Sequence, residues 1–378
     1  MPPAARFVLR FVAVPGVAAG KAMAAIAMVA LAMAAPAMAA EAAPYAPPLP
    51  ERLSDTGLYI AGTVSAGAGE PAPGVLAYTP QYPLWSDGAA KQRWLYLPPG
   101  TAIDASNPDA WQFPVGTKLW KEFGHGRAIE TRYIERLADG TWRFASYVWR
   151  ESGDDADLAA AEGVPHLPVA GAPGGRYGIP SRDDCLACHE GGATPVIGVS
   201  ALQLSPDRDP NVPHAEAPRP GDVDLAVLNE SGLLAGLPGA LLDTPPKIAA
   251  VSATERSALG YLHANCGHCH NAAGPLGLLD LVLAQRVDAA ASRAEVLASI
   301  VERPSDFETA GAATRVTPGN PQASVLALRM HTRNPLAQMP PLGTSIADVE
   351  GAALIEQWIR EDLITGEEYL HELQAQQR

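Results

Sequence analysis

The chain has 378 residues, with 27 Lys and Arg against 41 Asp and Glu, a formal net charge of −14. That acidic balance argues against a general affinity for nucleic-acid phosphates or anionic lipid. Hydrophobic residues make up 47% and Gly and Pro are abundant, at 35 and 36, so the chain reads as globular, rich in turns and long enough for two domains.

The first element is a targeting segment. Arg6, Arg10 and Lys21 form a basic stretch, residues 22–35 are almost wholly apolar, and Ala37-Met38-Ala39 fits a small-x-small cleavage site. This predicts a signal peptide over residues 1–39, export to the periplasm and a mature start near Ala40. The apolar run is short and alanine-rich for a membrane span, and no later segment approaches that length, so no membrane span is expected after cleavage. Residues 40–57 read as a proline-rich lead-in.

From about residue 58 to 150 the pattern is β, and residues 151–183, acidic and then rich in Gly and Pro, read as a long connection; together they make an expected β-rich domain over 58–183. Lys91 to Leu97 alternates polar with apolar, and Ile129 to Val148 reads as a hairpin turning at Ala138-Asp139-Gly140. Six of the seven Trp fall between Trp85 and Trp149. They predict an antiparallel β domain with an aromatic core, in preference to an aromatic platform for a ligand.

Cys185-Leu-Ala-Cys188-His189 follows, and the same pattern returns at Cys266-Gly-His-Cys269-His270. Two thiols two residues apart can reach the two vinyl groups on one porphyrin edge. The next residue, a histidine, then lies under the iron. Together the motifs use all four cysteines. A four-thiolate zinc site or a redox dithiol gives no reason for a histidine after each second cysteine. The prediction is two haem c groups, bound covalently by Cys185, Cys188, Cys266 and Cys269, with His189 and His270 as iron ligands.

Residues 184–250 are loop-rich, with one short helix near Leu225 to Leu234. Residues 251–378 are helical. Ser252-x-x-Glu255, Ser292-x-x-Glu295 and Ser345-x-x-Asp348 read as helix starts. The first helix runs through Leu259 and Leu262 into Cys266, and the last turns Leu354, Ile355, Trp358 and Ile359 inward. The fold class is therefore α+β, an antiparallel β-rich N-terminal domain followed by an all-α cytochrome c-like domain.

After the signal segment the only methionines are Met330 and Met339. Met339 precedes two prolines that hold the chain extended, which makes it the expected sixth ligand of the second haem. Met330 falls in a helical run from Ser324 to His331 and reads as core. For the first haem the sequence offers His125, His166, His214, His263, Met330 or His331, or an open position. His214, in a proline-rich loop, is the first choice. His268, inside the second motif, reads equally as a surface or supporting residue or as a ligand.

Three stretches resemble the N-terminal half of a family of exported, functionally uncharacterised diheme c-type proteins. They are Tyr82-Pro-Leu-Trp85-Ser-Asp-Gly-Ala89 with Lys91, Phe113-Pro-Val-Gly116-Thr-Lys-Leu-Trp120-Lys-Glu-Phe123, and Tyr147-Val-Trp149. Asn265 to Asn271, Pro318-Gly-Asn-Pro321, Ser324 and the Met339-Pro-Pro segment are similar to its C-terminal half. The resemblance covers most of residues 78–360. It implies haem at both motifs and electron transfer, with no established substrate.

The leading function class is thus an electron-transfer protein that docks a redox partner, for which an acidic surface suits a basic one. The alternative is a haem oxidoreductase of peroxidase type with an open first haem. Diheme peroxidases, however, carry both motifs in helical domains. A third reading is a binding module whose β domain recognises a partner. No phosphate loop, dinucleotide fingerprint or G-x-S-x-G elbow is present.

Overall fold

The computed structural model describes residues 47–309 and 312–363. The signal segment, the start of the lead-in and residues 364–378 lie outside the described residues.

The lead-in is tied to the sheet. Arg143 donates to the Pro47 carbonyl at 2.5 Å and the Tyr147 hydroxyl to the Pro50 carbonyl at 2.9 Å. A short 3-10 turn, Leu53–Thr56, then buries Leu53. Strands β1 (Val75–Ala77), β2 (Ala90–Tyr96), β3 (Ile103–Asp104), β4 (Lys118–Gly124), β5 (Ala128–Arg136), β6 (Trp142–Trp149) and β7 (Ala156–Leu158) follow. Six of them form one antiparallel sheet in the order β1-β2-β4-β5-β6-β7. The expected hairpin is β5–β6. Gly140 supplies the positive φ of 84° at its turn, and the Asp139 carboxylate accepts from Thr141 N at 2.9 Å.

The aromatic residues are mainly core. Trp94, Trp120, Tyr133, Tyr147 and Trp149 pack together on one face of the sheet, and Trp111 and Phe113 pack on the other. Trp85 is half-buried, belongs to none of the core clusters and lines a cavity described below.

Strands β8 (Val164–Pro168) and β9 (Arg176–Ile179) make a small hairpin leading into helix α1 (Arg182–His189). Residues 190–250 return to the sheet. Val196, Val199, Leu204, Val223, Leu225 and Leu228 join the sheet's core. Helix α2 (Leu225–Glu230) is shorter than expected, because Gly232, at φ 69°, turns the chain into β10 (Leu234–Ala235). Strand β10 pairs parallel with β3. Helix α3 (Ala240–Asp243) follows.

Helices α4 (Ala253–Asn265), α5 (Ala289–Ile300), α6 (Val325–His331) and α7 (Val349–Glu361) share a core that includes Leu259, Leu262, Val296, Leu297, Ile355 and Trp358. This part is not all-α, since β11 (Pro304–Thr309) and β12 (Ala312–Thr314) form a hairpin within it. Two helix starts also differ from expectation. Helix α5 begins at Ala289, and Ser292 lies inside it, spending its hydroxyl on Arg286 N and Gln285 Oε1. Helix α7 is capped by Asp348, which accepts from Gly351 N at 3.0 Å, while Ser345 donates to Asp87. Ser252 does cap α4, accepting from Glu255 N at 2.9 Å. The Glu255 carboxylate turns to Arg293 at 2.6 Å.

The division by composition is not a division in space, because the described residues belong to one compact unit. Tyr82, from the sheet's approach segment, sits in the core of the helices. Trp85 N donates to Asn265 Oδ1 at 2.7 Å. Among the described residues no helix is long and apolar enough to cross a membrane.

Candidate haem-binding cavity

The first motif occupies helix α1. Its start is a capping box the sequence reading missed. Ser181 Oγ accepts from Asp184 N, and the Asp184 carboxylate accepts from Ser181 N. On a helix Cys185 and Cys188 are one turn apart, and His189 is four residues from Cys185, so all three share a face. His189 Nδ1 lies 2.6 Å from the Pro195 carbonyl. An imidazole fixed in this way has Nε2 free to bind a metal, the outer contact typical of ligating histidines. Phe144 of β6 packs against the ring at 4.9 Å.

The second motif follows α4 in tight turns. Cys269 N and His270 N both donate to the Cys266 carbonyl, at 3.1 and 2.9 Å. His270 is buried, and its Nδ1 has no partner among the described residues. Burial, aided by nearby cations, holds His189 and His270 down to about 4. Both rings are therefore neutral at pH 7, the form that ligates metals.

The two motifs touch. Asn271 Nδ2 donates to the Gly191 carbonyl at 2.7 Å and to the Gly267 and His268 carbonyls at 3.0 and 3.2 Å. Its Oδ1 accepts from Ala273 N and Gly274 N. A Cβ at Gly191 would strike the His268 carbonyl, and one at Gly274 would strike the Gly191 carbonyl. The absence of side chains there lets the segments lie backbone to backbone. Cys188 and Cys269 meet at this junction. All four thiols are free. Burial pushes Cys185 up to about 11 and Cys266 to about 12. The hydrogen bond to the Cys269 thiol, then burial, pushes Cys188 up to about 12.

One cavity of about 800 Å³ runs past both motifs. That is toward the upper end of ligand pockets, which span ~300 to ~1,000 Å³. Cys188 and His189 line it from one motif, and Cys266, Cys269 and His270 from the other. Cys185, one helical turn before Cys188, is not among the lining residues. The lining is mostly apolar, but its charges invert those of the whole chain: Lys121, Arg132, Arg315 and Arg329 against Asp306 alone.

Met339 also lines the cavity. Its loop is well anchored. Met339 N donates to the Arg329 carbonyl at 3.0 Å, Arg333 reaches the Met330 and Met339 carbonyls, and Gln338 Nε2 donates to the Pro341 carbonyl at 3.0 Å. Met330 is in the helical core, as expected.

Of the side chains weighed as sixth ligands, only Met339 and His268 are in the wall. His214 is placed elsewhere. Its Nε2 lies 2.8 Å from Asp348 Oδ1, and its ring stacks on Trp85 at 4.5 Å. His331 pairs with Glu356, His263 Nδ1 accepts from Gln285 N, and His166 is exposed. His125 packs against Tyr177, away from the wall. His268 touches Cys188, and its Nδ1 is buried without a partner among the described residues. Its place at the junction depends on the fold of two distant segments, which no local spacing reveals.

Among the described residues no group of three or more His, Cys, Asp or Glu could hold a bare metal ion. A haem iron asks less of the protein, because the porphyrin supplies four ligands and the chain only the axial ones. Neutral imidazoles, free thiols, a large apolar cavity and cations for propionates together fit that group. No family model, curated protein or solved structure matches this chain.

Proposed function

We propose that the protein is a periplasmic diheme c-type cytochrome that transfers electrons. The observation that carries this reading is one cavity whose wall holds Cys188 and His189 of the first motif, Cys266, Cys269 and His270 of the second, and Met339. Cys185, Cys188 and His189 would hold one haem, and Cys266, Cys269, His270 and Met339 the other. Bound haem supplies one-electron chemistry, and a His/Met pair raises its potential and leaves no open position.

The chain's own residues have defined parts in this. Pro195 orients His189, and the Arg333–Gln338 anchorage holds the Met339 thioether in the wall. Asn271 keeps the two attachment segments together, so two haems bound there would be neighbours able to exchange electrons. The apolar lining excludes water and so lowers the reorganisation that each transfer requires. The acidic surface suits a basic redox partner. Attachment outside the cytoplasm agrees with the predicted signal segment.

The alternative, an oxidoreductase with an open first haem, is favoured by one observation. His268 is the only imidazole in the wall beyond the two motif histidines, among the described residues. Ferric spin states separate the readings, measured by absorption and electron paramagnetic resonance on the matured protein. Two low-spin haems are expected of a carrier. A high-spin first haem that binds cyanide would establish the enzyme instead.

A further inference from the structure

Three cations stand side by side across the sheet face toward the cavity. Arg93 of β2 is directly opposite Lys121 of β4, and Lys121 is directly opposite Arg132 of β5. Like charges in direct cross-strand register oppose sheet formation, so each must be offset. Arg93 makes a two-pronged pair with Glu216, at 2.6 and 3.0 Å. Arg132 makes one with Glu130, at 3.0 and 3.1 Å. Lys121, the middle member, makes no hydrogen bond or ion pair among the described residues. Its Nζ has only the Phe123 ring, at 4.9 Å, and Arg132 shares that ring at 4.3 Å.

The next cation on this face does not help. Lys91 is spent on the Leu84 carbonyl at 2.8 Å and adds a further positive charge. Two carboxylates, Glu216 and Glu130, thus serve four cations. Lys121 lines the cavity, as do Arg132 beside it and His189 and Cys188 of the first motif. Lys121 is half-buried, and an ammonium partly removed from water without a hydrogen-bonded counter-charge is costly. Burial first, then Arg93, Lys91 and Arg132, hold Lys121 well below the usual lysine range. The other three cations of the wall have protein partners. Arg132 has Glu130, Arg315 has the Asp280 and Ser299 carbonyls, and Arg329 has the Ala337 carbonyl.

We infer that Lys121, flanked by Arg132, is an anion-binding site inside the cavity that takes one carboxylate or small oxyanion beside the first motif. The missing negative charge of the row is supplied by that ligand. The same chemistry has two sources, a propionate of the first haem or a soluble oxyanion. The first source rests on the diheme reading and the second does not.

The test compares the wild type with Lys121→Gln, Lys121→Arg and the control Lys118→Gln, which lies on the opposite sheet face. Haems per chain are counted first. Inorganic sulfate, a poor ligand for haem iron, is then titrated by calorimetry, and the first-haem potential is measured. A soluble-anion site gives saturable sulfate binding that Lys121→Gln weakens at least tenfold and Lys121→Arg largely keeps. A propionate site gives no sulfate binding but a lower first-haem potential in Lys121→Gln, restored in Lys121→Arg. If the wild type binds no sulfate and the potential moves equally in Lys121→Gln and Lys118→Gln, the inference is overturned. If Lys121→Gln does not fold, the wild-type titration and Lys121→Arg decide. If no haem is found, the diheme reading falls and sulfate binding alone decides the inference.

Discussion

Single residues decide what the cavity can hold. Met339 is tested by Met339→Ala, which removes the thioether while leaving the loop's backbone anchors. One haem should lose potential and become partly high-spin, as read by redox titration and ferric absorption. An unchanged spectrum would sink the assignment. Glu122 offers a test away from the cavity. It is 4% exposed, and burial raises its carboxyl from 4.5 to about 7, against the pull of Gly67 N and Tyr59. Below about pH 4.5 the group is protonated folded or unfolded and costs nothing. As pH rises toward 7 the folded state alone retains the proton, so stability falls, by an amount on the order of 3 kcal/mol once complete. Glu122→Gln should therefore raise the melting temperature at pH 8 and change it little at pH 4.5. Equal effects at both pH values would refute this account. Cys188, His189, Cys266, Cys269, His270 and Met339, which the fold brings into one cavity wall, could be singled out in the sequence, because the cysteines and histidines recur in a short fixed pattern and Met339 precedes two prolines. The surroundings of His214 and Lys121 could not be read there. The partner of one and the isolation of the other depend on register and on loops distant in the chain.

At the scale of elements, the contact between the two attachment segments matters most. Gly191→Ala drives a Cβ into the His268 carbonyl. Such overpacking against backbone costs about 1–3 kcal/mol. The variant should melt several degrees lower and slow electron exchange between the two haems. Gly192→Ala meets nothing closer than 3.8 Å and should behave as wild type. Equal melting of the two variants, followed by circular dichroism, would argue against the junction. The β5–β6 hairpin and the inward face of α7 were readable because alternation, turn chemistry and helical period agree there. The helix starts at Ser292 and Ser345 were misplaced for a physical reason. A serine hydroxyl caps a helix only if nothing nearer claims it, and here Gln285, Arg286 and Asp87 do.

At the scale of the molecule, the sheet and the helices meet around the cavity. Residues 190–250 read as loop-rich, yet they supply Val196 and Leu204 to the sheet's core. Their apolar residues are too irregularly spaced to show a period, so only the fold reveals where they pack. Because the cavity needs walls from both halves, the C-terminal segment alone should not retain a normal second haem. The central claim is that two haems are bound covalently, one by each cysteine pair. The most direct measurement is a pyridine haemochrome assay with the mass of the denatured, matured chain. Two haems per chain are predicted, falling to one when Cys185 and Cys188 are both replaced by alanine. A chain that carries no covalent haem, with Cys188 joined to Cys269 in a disulfide, would contradict the account.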